Sequence, residues 1–164
     1  QWNSAHDYCQ GINQFCATRM ITVNLESDGV DLPEIDGNWI SGICENILTD
    51  FEHSEAALTI IFSTDTKLRK LKKEYFSVDM LTDTISFNLE DKGEAIDGEI
   101  YISLKRVSKN AKTFEQDFDK ECKRVIIHSV LHLLGFDDQT SEEKTKMTQL
   151  EDYYLSSTIS ADQI

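Results

Sequence analysis

The chain has 164 residues, which is room for one domain whose core needs no disulfides. Its 30 acidic and 16 basic residues give a formal net charge of -14, which indicates a soluble protein without whole-molecule attraction to nucleic acid or anionic lipid. No segment reaches the roughly 18 consecutive apolar residues of a membrane span, and the first residues lack the apolar run of a secretory signal.

We predict one domain, covering residues 20–158. Residues 1–19 show no periodicity, whereas Met20 begins a clean strand pattern, so we interpret 1–19 as an appended or disordered leader and 159–164 as a flexible tail. His6 is then a surface residue. The four cysteines form no CxxC pair, and Cys44 and Cys122 fall in helical patterns, where a free thiol packs as a small hydrophobe. This usage suits a reducing cytoplasm.

Strand and helix patterns alternate along the domain. Segments with strand-like composition are 21–27, 57–63, 83–89 and 98–104. Helices are predicted from Asp36 to about residue 49, from Thr64 or Asp65 onward, over 117–134, and over about 141–155 after a capping box of Thr140 and Glu143. In the second helix, Leu68, Leu71 and Tyr75 are expected to face inward. A basic segment follows residue 104. This order predicts an α+β fold, a mixed three- or four-stranded sheet packed with helices.

Two histidines stand four positions apart in the segment IIHSVLHLLGFDD, residues 126–138. In a helix this spacing brings the rings of His128 and His132 to one point. The surrounding residues are apolar on nearly every side, which predicts a buried helix. Burying an imidazole without a partner costs about 1 to 3 kcal/mol, so the pair indicates a shared metal ion, the alternative being two satisfied core histidines.

A third ligand is available just beyond this helix. Gly135 permits the left-handed turn that ends a helix, and either Asp138 or Asp137 can then supply an oxygen. Two nitrogens, one carboxylate and a water form a ligand set of catalytic zinc sites, whereas Asp137 as a fourth protein ligand would close the site. Ser129 stands where the HExxH motif has its glutamate, which argues against an ordinary zincin protease.

These motifs resemble those of the YbeY-type rRNA maturation factors, metal-dependent endoribonucleases of bacteria. HSVLHLLGFDD, residues 128–138, is similar to the family signature HGxLHLxGYDH, and LTDTISFNL and DGEIYIS resemble two upstream blocks of the family. The resemblance covers about Met20 to Leu155. It implies a zincin-like fold in which His128 and His132 are zinc ligands and Asp138 takes the place of the third histidine. Ser129 replaces a glycine of the family, and Phe76 stands where the family commonly has an arginine.

The resemblance implies a zinc-dependent, single-strand-directed endoribonuclease that acts in rRNA maturation and ribosome quality control. One Zn²⁺ per chain, precursor rRNA and ribosomal components are the expected cofactor and partners, in the cytoplasm, with no membrane or DNA partner. Attack could come from a zinc-bound water or from the RNA 2′-hydroxyl. Thr82, Asp83 and Ser86 are expected to contact phosphate or to form hydrogen bonds to the histidines. The alternative is that Asp83 caps a strand turn and Ser86 is an ordinary sheet residue. Asp137 is a further candidate for catalytic support.

Basic residues concentrate in two windows and are candidates for contacts to RNA phosphates. These candidates are Lys67, Arg69, Lys70, Lys72, Lys73, Lys105, Arg106 and Lys109. The alternative for them is solvated helix faces. Two other functions remain open: a zinc hydrolase of a peptide or small substrate, and a non-catalytic ribosome-associated protein in which a metal joins the helix to the following turn.

Overall fold

A computed structural model of the protein describes the backbone of residues 20–162 and the side chains of residues 20–157. The elements in chain order are β1 (Met20–Ser27), α1 (Gly37–Asp50), β2 (Glu55–Ser63), α2 (Asp65–Phe76), β3 (Thr84–Asn88), β4 (Ile96–Ser103), α3 (Leu104–Thr113), α4 (Phe118–Leu133) and α5 (Ser141–Asp162). The predicted leader, with His6, Cys9 and Cys16, lies outside the described residues. None of the described helices is long and apolar enough to cross a membrane.

The four strands form one mixed sheet in the order β1-β2-β4-β3. β1, β2 and β4 run parallel, whereas β3 pairs antiparallel with β4 at one edge. The predicted α+β class and mixed sheet are therefore confirmed, with four strands. The core between sheet and helices is strongly apolar, and Leu58, Ile60, Phe62, Ile100 and Ile102 are fully buried in it.

Helix starts follow the capping signals of the sequence. The Asp36 carboxylate accepts a hydrogen bond from the backbone N–H of Asn38. The Thr64 hydroxyl accepts one from the backbone N–H of Lys67. At α5, Thr140 and Glu143 form the predicted reciprocal capping box, with bonds of 3.0 and 3.1 Å. Among the described residues, Cys44 and Cys122 are buried free thiols, as expected.

One element was not predicted, and two expectations differ from the structure. The basic segment forms a helix, α3, which begins at the cap Ser103 and buries Val107 and Ala111 one turn apart. Leu104 adds a partly buried contact with the core, and most of the other side chains of α3 are polar. Tyr75 is 62% exposed rather than inward, because α2 ends beside the sheet edge. α5 continues to Asp162, beyond the expected end at residue 155.

One close approach brings α4 onto the sheet. A Cβ placed on Gly98 of β4 would lie 2.7 Å from a methyl carbon of Leu133, at the end of α4. The glycine therefore lets the last turn of α4, which carries His132, lie directly on the centre of the sheet.

Candidate metal centre

His128 and His132 lie on the buried helix α4, as the sequence predicts. Their Nε2 atoms are 2.9 Å apart, and the ring planes are nearly perpendicular at 82°. The helix is held in the core by Val125, Ile126, Ile127, Val130 and Leu131, all of which are buried. Burial of that apolar surface fixes the helix, and the two imidazoles meet where α4 faces a cleft.

The chain returns to the histidines after a left-handed turn at Gly135, where φ is 97°. One oxygen of Asp138, Oδ2, lies 3.4 Å from Nε2 of His128 and 3.6 Å from Nε2 of His132. We call the side chains of His128, His132 and Asp138 the metal triangle.

The metal triangle has the size that a tetrahedral zinc ion requires. Ligand atoms at zinc distances of about 2.0 to 2.2 Å stand about 3.3 Å apart in a tetrahedron, close to the separations of 2.9, 3.4 and 3.6 Å found here. Within residues 20–157, the group includes no fourth His, Cys, Asp or Glu, and Asp137 is exposed outside it. The triangle could hold a metal ion and leave a coordination position free.

Glu151 of α5 orients the first histidine. Its Oε2 lies 2.7 Å from Nδ1 of His128, and because a carboxylate only accepts, Nδ1 carries the proton. The lone pair on Nε2 is then directed into the metal triangle. Glu151 is itself 6% exposed, and its other oxygen accepts a bond of 2.9 Å from Arg124. This carboxylate–histidine arrangement is typical of metal centres.

The charges around His128 also favour a bound cation. Burial by itself lowers the pKa of His128, but the hydrogen bond and charge of Glu151, with Asp138 and Asp83, raise the pKa above its usual value. The site therefore attracts positive charge, either a proton or a metal ion.

Ser129 joins α4 to the edge strand β3. Its hydroxyl donates to the Val125 carbonyl at 2.7 Å and accepts from the Thr84 hydroxyl at 2.7 Å. Its own carbonyl accepts from the Ser86 hydroxyl at 3.1 Å. These directional bonds hold β3 beside the histidines, so β3 forms one wall of the site.

The metal triangle opens into a cleft of about 630 Å³. Thr82, Asp83 and Ser86 line the cleft, as do Lys72 and Phe76 from the end of α2. The hydroxyl of Thr82 donates to the Thr84 carbonyl, and Asp83 accepts from Asn110 at 3.4 Å. The ring of His128 donates a hydrogen bond to Glu151 and forms none with these three residues, whose contact with phosphate stays a prediction.

The predicted RNA-binding cations occupy different positions. Lys72 lines the cleft, whereas three others form ion pairs: Lys67 with Asp28, Arg69 with Asp79, and Arg106 with Asp65. The remaining four, Lys70, Lys73, Lys105 and Lys109, are exposed. Of the eight predicted cations, the structure therefore places one, Lys72, in the lining of the cleft that also contains the metal triangle.

Glu151 and Arg124 were not predicted from the sequence. Glu151 is 23 positions from His128 and lies on another helix. The one available signal is that a buried metal-binding histidine needs an acceptor for its second nitrogen, and α5 is the next acidic helix along the chain.

The fold and site define an α+β domain with a three-ligand candidate metal centre at the base of a cleft. The family model described as endoribonuclease YbeY matches residues 22–158. The chain belongs to this family, and the resemblance inferred from the three motifs is confirmed.

Individual relatives agree with this assignment. The chain is 39% identical over 137 residues to the endoribonuclease YbeY of Flavobacterium psychrophilum, covering 83% of this chain and 94% of the relative. It is 44% identical over 106 residues to that of Chloroherpeton thalassium, covering 65% and 74%. The solution structure of TM1509 from Thermotoga maritima shares the fold, with a TM-score of 0.54 at 23% identity over 81% of this chain and 86% of that one.

Proposed function

We propose that the protein is a zinc-dependent endoribonuclease that cleaves single-stranded segments of precursor rRNA and serves in ribosome quality control in the cytoplasm. The metal triangle, open to a cleft that also holds Lys72, carries this proposal. Family membership supports RNA as the substrate and ribosomal components as partners. A buried helix bearing both histidines beside an antiparallel edge strand supports a zincin-like arrangement.

His128, His132 and Asp138 would hold the ion, which supplies Lewis-acid polarisation of a phosphoryl oxygen and a lowered pKa for a bound water. Glu151 keeps the proton of His128 on Nδ1, so that its Nε2 stays available as a ligand. Lys72 attracts the RNA backbone to the cleft. The hydrogen bonds between Ser129 and β3 keep the β3 wall of the cleft in place while an RNA strand is bound.

Asp83 is the proposed proton acceptor. It lines the cleft outside the metal triangle, and its charge contributes to the raised pKa of His128. A carboxylate in this position can take the proton of the attacking group. Asp83→Asn should lower kcat by about 100-fold or more while metal content stays at the parent value. Full activity in this variant would exclude the role.

The test of the main proposal is cleavage of a short single-stranded oligoribonucleotide by the full chain loaded with zinc. Cleavage should stop with a chelator and in His132→Ala, and should continue in His53→Ala, which alters a histidine of the described residues outside the metal triangle. Equal cleavage by the His132→Ala protein would contradict the proposal. The product ends separate the two routes of attack: a 2′,3′-cyclic phosphate indicates the 2′-hydroxyl, and a 3′-hydroxyl end indicates water.

Peptide hydrolysis is a second candidate, because β3 is an antiparallel edge strand on the cleft wall, where an extended peptide can add as a further strand. Ser129 in place of a glutamate weighs against it, since the base of HExxH enzymes is missing. Cleavage of an unstructured peptide with the oligoribonucleotide left intact would favour this candidate. A zinc-loaded parent that cleaves neither substrate would favour the non-catalytic role.

A further inference from the structure

Aromatic side chains are exposed at the end of α2. Tyr75 is 62% and Phe76 is 50% exposed, and both contact Phe87 of β3. The Phe76 and Phe87 rings are nearly parallel, at 22° with centroids 5.8 Å apart, whereas Tyr75 meets Phe87 edge-on. We call these three residues the aromatic surface. Exposed apolar groups of this kind mark interaction sites.

The aromatic surface is continuous with the candidate metal centre. α2 ends directly after Phe76, where Ser77 adopts a left-handed conformation with φ of 57°. The chain then turns so that Phe76 and Val78 both line the cleft that holds His128 and His132. An occupant of the cleft that extends toward α2 therefore meets the Phe76 ring.

A cation stands beside this ring on the same helix. Lys72 and Phe76 are four residues apart, so their side chains lie one above the other, and both line the cleft. A lysine recognises phosphate, and a flat aromatic ring recognises the face of a nucleobase. The pair matches the alternation of phosphate and base along a single strand.

We propose that Phe76, which packs on Phe87, stacks on an unpaired base of single-stranded RNA whose adjoining phosphate contacts Lys72. This inference rests on the proposed function, because it takes RNA as the occupant of the cleft. In a duplex, neighbouring bases cover both faces of each base, so the Phe76 ring finds no exposed base face on which to stack. Phe76 then determines specificity for unpaired RNA.

The test is the affinity of the zinc-loaded full chain for two fluorescently labelled single-stranded oligoribonucleotides, one with normal bases and one with abasic positions at its centre. Each oligonucleotide is checked for integrity by gel after titration. Phe76→Leu should weaken binding of the normal strand by about tenfold and leave the abasic strand unchanged. Phe76→Trp should retain parent affinity, and its fluorescence should be quenched by the normal strand more than by the abasic one.

Phe114→Leu is the matched control, because Phe114 is 61% exposed and does not line the cleft. This variant should bind both strands as the parent does. Unchanged affinity of Phe76→Leu for the normal strand, or an equal loss on both strands, would overturn the stacking role while leaving the nuclease proposal intact. Parent protein that binds RNA with the expected discrimination but never cleaves it would support stacking and refute the nuclease. Absence of any RNA binding would overturn both.

Discussion

Nδ1 of His128 and a carboxylate oxygen of Glu151 are 2.7 Å apart and join helices α4 and α5. The carboxylate can only accept a hydrogen bond, so in the neutral imidazole this contact selects the tautomer with the proton on Nδ1 and a free lone pair on Nε2. A residue outside the metal triangle thereby determines which nitrogen of a candidate ligand is free to bind a metal ion.

Replacing Glu151 by Gln should weaken zinc binding by about 10- to 100-fold, because the amide lacks the charge that raises the basicity of the imidazole. The measurement is a competition titration of the purified protein against a coloured zinc chelator.

Asp152→Asn is the matched control for Glu151→Gln. Asp152 also accepts a bond from Arg124, of 2.7 Å, but it does not contact His128. Asp152→Asn should therefore leave the zinc affinity near the parent value. Equal weakening by both variants would assign the effect to Arg124 and the α4–α5 contact in place of the histidine.

Two adjacent aspartates should differ in their effect on metal content. Asp138→Ala removes an oxygen 3.4 Å from Nε2 of His128 and should bring zinc retained after dialysis well below one ion per chain. Asp137→Ala should retain the metal, because Asp137 lies outside the metal triangle. Elemental analysis of the two purified variants measures their zinc content. Loss of zinc from Asp137→Ala with retention in Asp138→Ala would identify Asp137 as the ligand.

Two lysines on α2 should differ in their effect on RNA binding. Lys72→Ala should weaken binding of single-stranded RNA and reduce the slope of log affinity against log salt by about one, since one phosphate contact is lost. Lys70 is exposed on the same helix and does not line the cleft, so Lys70→Ala should change the slope less. Equal slopes for the two variants would place the RNA backbone on the outer face of α2.

Asp65 should contribute stability that depends on pH. Burial by itself raises the pKa of this carboxyl, but the hydrogen bond from Ser103 and the charge of Arg106 together bring the pKa below its usual value. Because the folded pKa lies below the unfolded one, about 3.9, the stabilisation is complete above pH 4 to 5 and is lost as pH falls through the folded pKa.

Asp65→Asn should therefore lower the free energy of unfolding by about 1 to 3 kcal/mol at pH 7, and the difference from the parent should shrink at acidic pH. Urea unfolding at several pH values measures it. Asp31→Asn alters an exposed aspartate and serves as the control. If the free energy of unfolding of Asp65→Asn stayed below that of the parent by a constant amount down to pH 3, the charge-based explanation would be contradicted.

Local patterns predicted much of the fold and the metal triangle. The histidine pair could be recognised because both candidate ligands lie on one helix, and the third candidate follows six residues after His132. Glu151 could not, because nothing in its own segment states which face of α5 packs on α4. α3 escaped prediction because its buried stripe is only Val107 and Ala111.

Tyr75 shows a different reason for a wrong prediction. Its spacing from Leu68 and Leu71 is helical, and such a stripe usually packs into a core. α2 buries Leu68 fully, but its last turn reaches past the core to the sheet edge, where Phe87 contacts the Tyr75 ring and leaves it 62% exposed. Periodicity predicts which residues share a face and does not state how far the opposing surface extends.

The five residues of β3 divide two tasks between alternate positions. Thr84 and Ser86 bond to Ser129 on the side of the histidines, whereas Phe87 packs with the rings of α2 on the other side. Side chains of opposite parity along a strand do not compete for space. Under the proposed stacking role, substitutions on the ring side would alter which RNA strands the protein binds while the hydrogen bonds on the metal side stay intact. RNA preference and the candidate metal centre would then be free to evolve separately within one short segment.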